Sequence, residues 1–578
     1  MILAAALLVL FLIYACNCII TDRKRRKAFE KSLHTDYGKA SEKKYPDGRL
    51  ATIAGHFRKK DALYAIDDIT WNDLDMDRVF QAMDHTFSAA GEEALYTILR
   101  CPCLSEEELL RRDDLIGYFM EHEQQRVALQ LFYARMGRTG KYSIYDYLDY
   151  LDTLGKRSNV RHYAVLGLMI LAVALCFVKP SLGIAALCAL ICINMVTYFK
   201  EKGEIDPYIT TFGYFLRVLR VVKELEGYKL DKIKDMTQEL CKRGAHFKRF
   251  SRFSFLLMHQ SDMASGNPLD LIVEYLRMGL HLNLIKFNTM LEQVRMYKED
   301  IIYMIEQLGY LEAMLAIGWY RASLPYFTKP EFSASLHKCH SRAIDDEEKC
   351  DDAFPVFTAE NMYHPLIDEP VANSISVTRD VLLTGSNASG KSTFLKTVAI
   401  SQILAQSVAT VPAERFVTSF YRIYTSMALR DDLKAKESYF IVEIKAMKRI
   451  LDAVSCQDEG VRAPVMCFVD EVLRGTNTVE RIASSTQILR SLAEGDTLSF
   501  AATHDIELTE LLQDVYENYH FTEEIAESDV QFSYRLQQGK ATSRNAIRLL
   551  GVMGYDESII ERAEEMARTF MREGVWKS

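Results

Sequence analysis

The stretch VLLTGSNASGKST, residues 381–393, restricts the fold more than any other part of the chain. An apolar run, Val381–Thr384, reads as a buried strand. Gly385, four further residues, Gly390, Lys391 and Ser392 follow it, and a helical pattern begins near Thr393. A strand, a glycine-bounded loop and a helix in that order make a phosphate cradle. The glycines let backbone N–H groups turn inward, and the helix N-terminus adds a partial positive charge. Lys391 is placed to neutralise β- and γ-phosphates, and the Ser392 hydroxyl to hold Mg²⁺.

Two later strand ends complete the pattern. The run Val465–Val469 is apolar throughout and ends in Asp470-Glu471. Asp470 is expected in the Mg²⁺ shell, and Glu471 is expected to polarise an attacking water. A third run, TLSFAATH (Thr497–His504), ends in His504, read as a sensor of the γ-phosphate. Glu471, His504 and Lys391 as the catalytic set, with Ser392 and Asp470 on the metal, make ATP hydrolysis with ATP and Mg²⁺ the expected chemistry.

The apolar stretches point to a bilayer. Residues 2–20 are almost entirely apolar and are followed by TDRKRRK (Thr21–Lys27). About 20 such residues span a membrane as a helix. A secretory leader carries its positive charges before the apolar run, so this order reads as an anchor with Lys24 onward in the cytoplasm. A second block, Tyr163–Phe199, is broken by Lys179-Pro180-Ser181 and flanked by cations on both sides. It reads as a hairpin through the membrane, giving three transmembrane helices, a multi-pass cell-membrane protein and a cytoplasmic bulk. A buried helical hairpin is the alternative reading. The 12 cysteines have no framework spacing, which suits a reducing compartment. The net charge of −9 excludes a polycation but not local phosphate-binding patches.

Between Lys200 and Ala343 apolar residues recur at three- and four-residue spacing, the mark of packed helices. CKRGAHFKRFSRF (Cys241–Phe253) interleaves cations and phenylalanines; it reads either as a contact to nucleic acid or anionic lipid, or as a solvated helix face. His337, Cys339, His340 and Cys350 lack a standard zinc spacing, and Cys101-Pro-Cys103 reads as a loop with two thiols.

GSNASGKSTFLKT, YRIYTSMALRDDLKAKESYFIVEI, FVDEVLRGTNT and ATHDIELTEL together resemble the MutS mismatch-repair ATPases, a branch of the ABC-type ATPases. SRNAIRLLGVMGYDESIIERAEEM (Ser543–Met566) is similar to the segment that helps pair two MutS subunits, and Asp84–His122 resembles the start of the core and lever domain. The resemblance implies that Asn387, Gly390, Lys391, Ser392 and Thr393 bind phosphates and Mg²⁺, with Gly385, Ser386, Ala388 and Ser389 completing the loop. It implies that Ser438 reaches the γ-phosphate in the opposite subunit, that Thr476 and Thr478 cross the dimer interface, and that His504 is the switch histidine. Tyr363–Leu366 resembles the family's His-Pro segment.

This chain departs from the family in places. Ser386, Ala388 and Ser389 stand where bacterial repair enzymes have proline, methionine and glycine. Glu369–Ser376 lacks the aromatic that the family often stacks on adenine. A membrane helix and a basic linker stand in place of the mismatch-reading domain and its Phe-x-Glu wedge.

The expected fold is multidomain α plus α/β. It comprises a transmembrane anchor and linker (1–48), a helical core and lever with a membrane hairpin at 163–199 (49–345), and an ABC-type P-loop ATPase domain with a helical dimerisation segment (346–578). The expected function is a membrane-anchored, homodimeric ATPase that clamps DNA in repair or recombination. The alternative is an ATPase acting on a non-DNA partner in membrane remodelling or transport.

Overall fold

The computed structural model describes residues 23–140, 142–228, 230–252, 279–333, 356–386, 389–427, 439–455, 463–474, 476–526, 529–541 and 554–573, with isolated positions besides. The chain is a mixture of helical and α/β structure in two units. One holds Met1–Lys60, Asp84–Thr97 and Leu115–Ala322; the other holds Asp61–Met83, Ile98–Asp114 and Ser323–Ser578.

The first unit is helical. Helix α1 (Val160–Val178) and helix α2 (Pro180–Gly227) form an antiparallel hairpin. The break falls at Lys179, which is extended, with Pro180 at the start of α2, where a missing N–H costs nothing. The two helices approach closely at Gly183, where a Cβ would lie 2.4 Å from the Cys176 nitrogen. Along the hairpin, Leu168, Ile170, Leu171, Phe177, Val178, Ile184 and Ile193 face outward uncovered.

Helix α2 runs on for 48 residues, roughly 70 Å at 1.5 Å per residue. Its hydropathy changes character along the way. Beyond Lys200 the apolar residues gather on one stripe, and Phe212, Phe215, Val218, Val222 and Leu225 enter the core. That core is shared with α3 (Leu282–Met296) and α4 (Lys298–Ser323) through Phe287, Met290, Met304 and Leu308.

Among the described residues, three helical stretches are long and apolar enough to cross a membrane: Val160–Val178, Pro180–Asp206 and Lys298–Ser323. In the first two only 11% and 17% of the apolar window is buried, against 72% in the third. The third is therefore core rather than an exposed span. Apart from isolated positions, the apolar N-terminal stretch at 2–20 lies outside the described residues, as do His337, Cys339, His340 and Cys350.

The phenylalanines of CKRGAHFKRFSRF are packing residues. Phe247 and Phe250 are buried, the latter against Phe212 and Phe287's neighbourhood in the core. Its cations are partly used within the fold: Arg243 pairs with Glu239 at 2.8 Å and Asp300 at 3.0 Å, and His246 lies 2.7 Å from Asp300.

Among the described residues the second unit carries two sheets. Its strands are β1 (Glu331–Phe332), β2 (Phe357–Met362), β3 (Asn373–Val377), β4 (Asp380–Thr384), β5 (Arg415–Thr418), β6 (Arg422–Ser426), β7 (Val465–Asp470), β8 (Thr497–Ala502), β9 (Tyr516–Ala526) and β10 (Asp529–Gln538). The smaller sheet has the order β1-β5-β2-β3, the larger β10-β9-β4-β8-β7-β6. Within the larger sheet β9, β4, β8, β7 and β6 are parallel, and β10 alone runs antiparallel. β4, β7 and β8 are buried along their whole length. Continuous apolar runs suit parallel strands covered on both faces. Helix α5 (Lys391–Val408) follows β4, and α6 (Thr478–Glu494) follows β7.

Candidate nucleotide site

The parallel order β4-β8-β7 brings three sequence-distant strand ends to one edge of the sheet. Leu383 of β4 pairs with Ala502 of β8, which pairs in turn with Asp470 of β7. The loop after β4, His504 after β8 and Glu471 after β7 therefore emerge side by side. Ligands of open α/β sheets bind at such carboxyl ends.

The loop is held by its glycines and its lysine. Gly385 and Gly390 have φ of +144° and +107°, values that side-chain-bearing residues rarely adopt. A Cβ on Gly390 would also lie 3.3 Å from the Tyr534 ring. Lys391, buried at the start of α5, donates through Nζ to the carbonyls of Gly385 at 2.7 Å and Ser386 at 2.6 Å. Its charge thus sits within the loop. Ser389 Oγ donates to the Ser386 carbonyl at 2.9 Å, and Thr393 lies on the exposed first turn of α5. Asn387, Ala388 and Ser438 lie outside the described residues.

Across the loop, Ser392 Oγ donates to Asp470 Oδ2 at 2.5 Å. Asp470 Oδ1 is buried and has no hydrogen-bond partner among the described residues. A buried, unsatisfied carboxylate oxygen beside a hydroxyl is the donor set of a hard divalent cation, so these two residues fit Mg²⁺.

Glu471 adopts φ of +57°, and its N–H donates to the Ala502 carbonyl at 2.9 Å. His504 Nε2 lies 2.7 Å from Glu471 Oε1, and Arg474 pairs with Oε2. Burial works against the charge of Glu471, but His504, Arg474 and Lys391 outweigh it and hold the carboxyl below its usual range. It is therefore an anion at neutral pH. Arg474 is fixed in turn by its N–H, which donates to Glu443 Oε1 at 3.1 Å. Thr476 Oγ1 donates to Glu480 at 3.0 Å, while Asn477 caps α6 and Thr478 opens it.

Beside the loop lies a cavity of about 380 Å³, lined by His364, Ile367, Val371, Phe394, Phe521 and Tyr534 among others. Burial pushes His364 down to about 4, so this ring is neutral. An apolar, partly aromatic pocket next to a phosphate cradle suits a flat heterocycle. Motif reading looks for an aromatic in Glu369–Ser376 and finds none. The structure brings Tyr534 and Phe521 from β10 and β9 instead.

Comparison with known proteins follows the same part of the chain. Residues 381–571 match MutS domain V. Similarity to proteins described as DNA mismatch repair protein MutS extends further. The protein from Thermus thermophilus is 30% identical over 400 residues, 65% of this chain and 42% of that protein. The one from Thermotoga maritima is 26% identical over 369 residues, 62% and 41% of the two chains. The one from Natronomonas pharaonis is 30% identical over 230 residues, 37% and 26%. The chain thus spans less than half the length of these MutS relatives. The MutS domain V match begins at Val381 in β4 and takes in every site residue described above from Gly385 to Tyr534.

Proposed function

We propose that this chain is a membrane-anchored, MutS-like ATPase that works as a homodimer and couples ATP binding and hydrolysis to the clamping of DNA. The observation that carries the reading is the convergence of Lys391, Ser392–Asp470 and Glu471–His504 at one sheet edge. In it, Lys391 and the loop N–H groups bind the phosphates, and the pocket around Tyr534 takes the base. Ser392 and Asp470 hold Mg²⁺, whose charge offsets that of the phosphates.

Glu471 orients the attacking water and takes its proton, and His504 holds the Glu471 carboxylate in position. For that, Glu471 has to release at least one of the two side chains, Arg474 and His504, that now occupy its oxygens. Ser438 of a second copy completes the site, as the family resemblance implies. Similarity to MutS supports DNA as partner.

The uncovered apolar hairpin of α1 and α2 supports the membrane anchor, and the cations that flank it, Arg157, Arg161 and Lys200, support a cytoplasmic placement of its open end. It also favours a second reading, in which the same engine acts on a membrane partner rather than on DNA. Measuring ATP turnover with and without duplex, branched and mismatched DNA, together with duplex binding across salt, separates the two. Stimulation and a steep salt slope support DNA. Unstimulated turnover with no DNA binding supports the membrane partner, and no turnover at all overturns both.

A further inference from the structure

We infer that the open end of the α1–α2 hairpin is a binding site for the phosphate-bearing headgroup of an anionic glycerophospholipid. The inference rests on the reading of the hairpin as membrane-inserted and names what that insertion would meet at the bilayer surface.

A concave pocket of about 460 Å³ lies where α1 begins and the antiparallel stretch of α2 leaves the apolar run. Arg157, Arg161 and Lys200 line it. Glu201 and Glu204 line it too, so three cations face two carboxylates and the pocket keeps one excess positive charge. The ion pairs are unequal. Arg157 lies 2.6 Å from Glu204, while Arg161 reaches Glu201 only at 3.6 Å with 70% of its side chain exposed. Arg161 therefore keeps most of its charge for a partner.

Neutral groups add donors. The Ser158 hydroxyl, which accepts from the Val160 N–H at 3.3 Å, and the amide of Asn288 lie in the same wall, while the Thr197 hydroxyl there donates to the Ile193 carbonyl at 2.9 Å. The N-terminus of α1 opens there as well. Asn159, at its N-cap, gives the first turn no side-chain bond: its amide donates to the Ile285 carbonyl at 3.2 Å and Thr289 at 3.3 Å, and its Oδ1, the atom that could cap, accepts from elsewhere. The amide of Asn288 donates to Asn159 Oδ1 at 2.9 Å, which fixes this arrangement. The partial positive end of a 19-residue helix thus adds to the arginines. Below them the wall is rigid, since the buried rings of His162 and His281 meet at 3.0 Å.

The surroundings choose between a soluble anion and a lipid. Val196 lines the pocket and is itself uncovered, and it continues into the exposed apolar surface of the hairpin. Tyr163 and Phe199, both exposed, stand at the same level on the two helices, where aromatic side chains mark a bilayer interface. A ligand that fills the pocket therefore meets cations and helix N–H groups at one end and acyl-chain surface at the other. Basic pockets between membrane helices on the cytoplasmic side bind anionic headgroups for this reason.

The test uses the full chain in detergent and in vesicles. Flotation with phosphatidylcholine vesicles comes first, and a chain that stays in solution overturns the hairpin reading itself. For a chain that floats, native mass spectrometry and thermal midpoints are recorded with phosphatidylglycerol, phosphatidylcholine and inorganic phosphate. Phosphatidylglycerol is expected to be retained roughly tenfold better than phosphatidylcholine, and to raise the midpoint. R161Q/K200Q removes that preference without preventing flotation, and the surface control K60Q/K223Q keeps it. Equal retention of the two lipids, an unchanged preference in R161Q/K200Q, or a response to inorganic phosphate as large as that to the lipid overturns the headgroup site while leaving the hairpin intact.

Discussion

Ser392 and Asp470 are 78 residues apart in the chain, yet the hydroxyl of one lies 2.5 Å from the carboxylate of the other. The contact exists because β4 and β7 flank β8 in a parallel sheet, so the first turn of α5 faces the residue closing β7. The second oxygen of Asp470 is left buried without a hydrogen bond among the described residues. Such an oxygen costs about 1–3 kcal/mol unless something satisfies it. A divalent cation held by Ser392 and Asp470 would satisfy it, which supplies a reason for the arrangement.

Replacing Ser392 by Ala or Asp470 by Asn should therefore weaken binding of ATP in the presence of Mg²⁺ by about 10- to 100-fold. Binding measured without divalent cation should change much less. A fluorescent ATP analogue titrated with and without Mg²⁺ reads both quantities. An unaltered Mg²⁺ dependence in D470N would remove Asp470 from the metal site.

Glu471→Gln should keep ATP bound and cut turnover by about 10²–10⁴-fold, the range of a lost general base. The pH dependence carries a separate sign. His504, Arg474 and Lys391 hold the Glu471 carboxyl below its usual range, so it is charged from neutral pH well into acid. The acid limb of the rate profile should lie correspondingly low. Arg474→Ala removes a positive charge beside the carboxyl and should move the limb to higher pH. A limb that stays in place would mean that another group controls it.

Parts of this site are legible in the chain and parts are not, for physical reasons. Asp470 and Glu471 can be read because an uninterrupted apolar run demands a strand buried on both faces, and carboxylates at its end must then emerge at the sheet edge. The break of the hairpin at Lys179-Pro180 is legible for the same local reason. The continuation of α2 as one helix from the apolar hairpin into the core is harder to see, because its periodicity changes where Lys200 begins the polar stretch. Tyr534 is not legible at all. It reaches the pocket through a register shift in the pairing of β9 with β10, between Phe532 and Leu536. Asn373 pins it there by donating to the Tyr534 carbonyl at 3.0 Å and accepting from the Leu536 N–H at 2.7 Å. No spacing rule connects those positions.

That placement makes Tyr534 testable as the surface on which the base lies. Stacking of a base on an aromatic ring contributes about 1–3 kcal/mol, so Tyr534→Ala should weaken ATP binding roughly tenfold or more. Inhibition by inorganic tripolyphosphate, which has no base, should be unchanged. A variant that loses both equally would show that Tyr534 supports the loop around Gly390 rather than the base.

The helical unit should carry its own pH dependence through Glu93. This carboxylate is buried, accepting from Ser143 Oγ at 2.6 Å and from the Ile144 N–H at 3.2 Å. Burial nevertheless pushes it up to about 8, well above the 4.5 of a free glutamate. Between those two values the folded chain holds a proton that the unfolded chain has released. Stability should then fall as pH rises through this window, at no more than roughly 1.4 kcal/mol per pH unit, and level off above it. Glu93→Gln keeps the shape and an acceptor for Ile144 while removing the ionisation. Thermal midpoints measured from pH 5 to 8 should decline in the native chain and decline less in E93Q. Parallel declines in the two proteins would show that folded Glu93 is already ionised across this window and that another group sets the pH dependence.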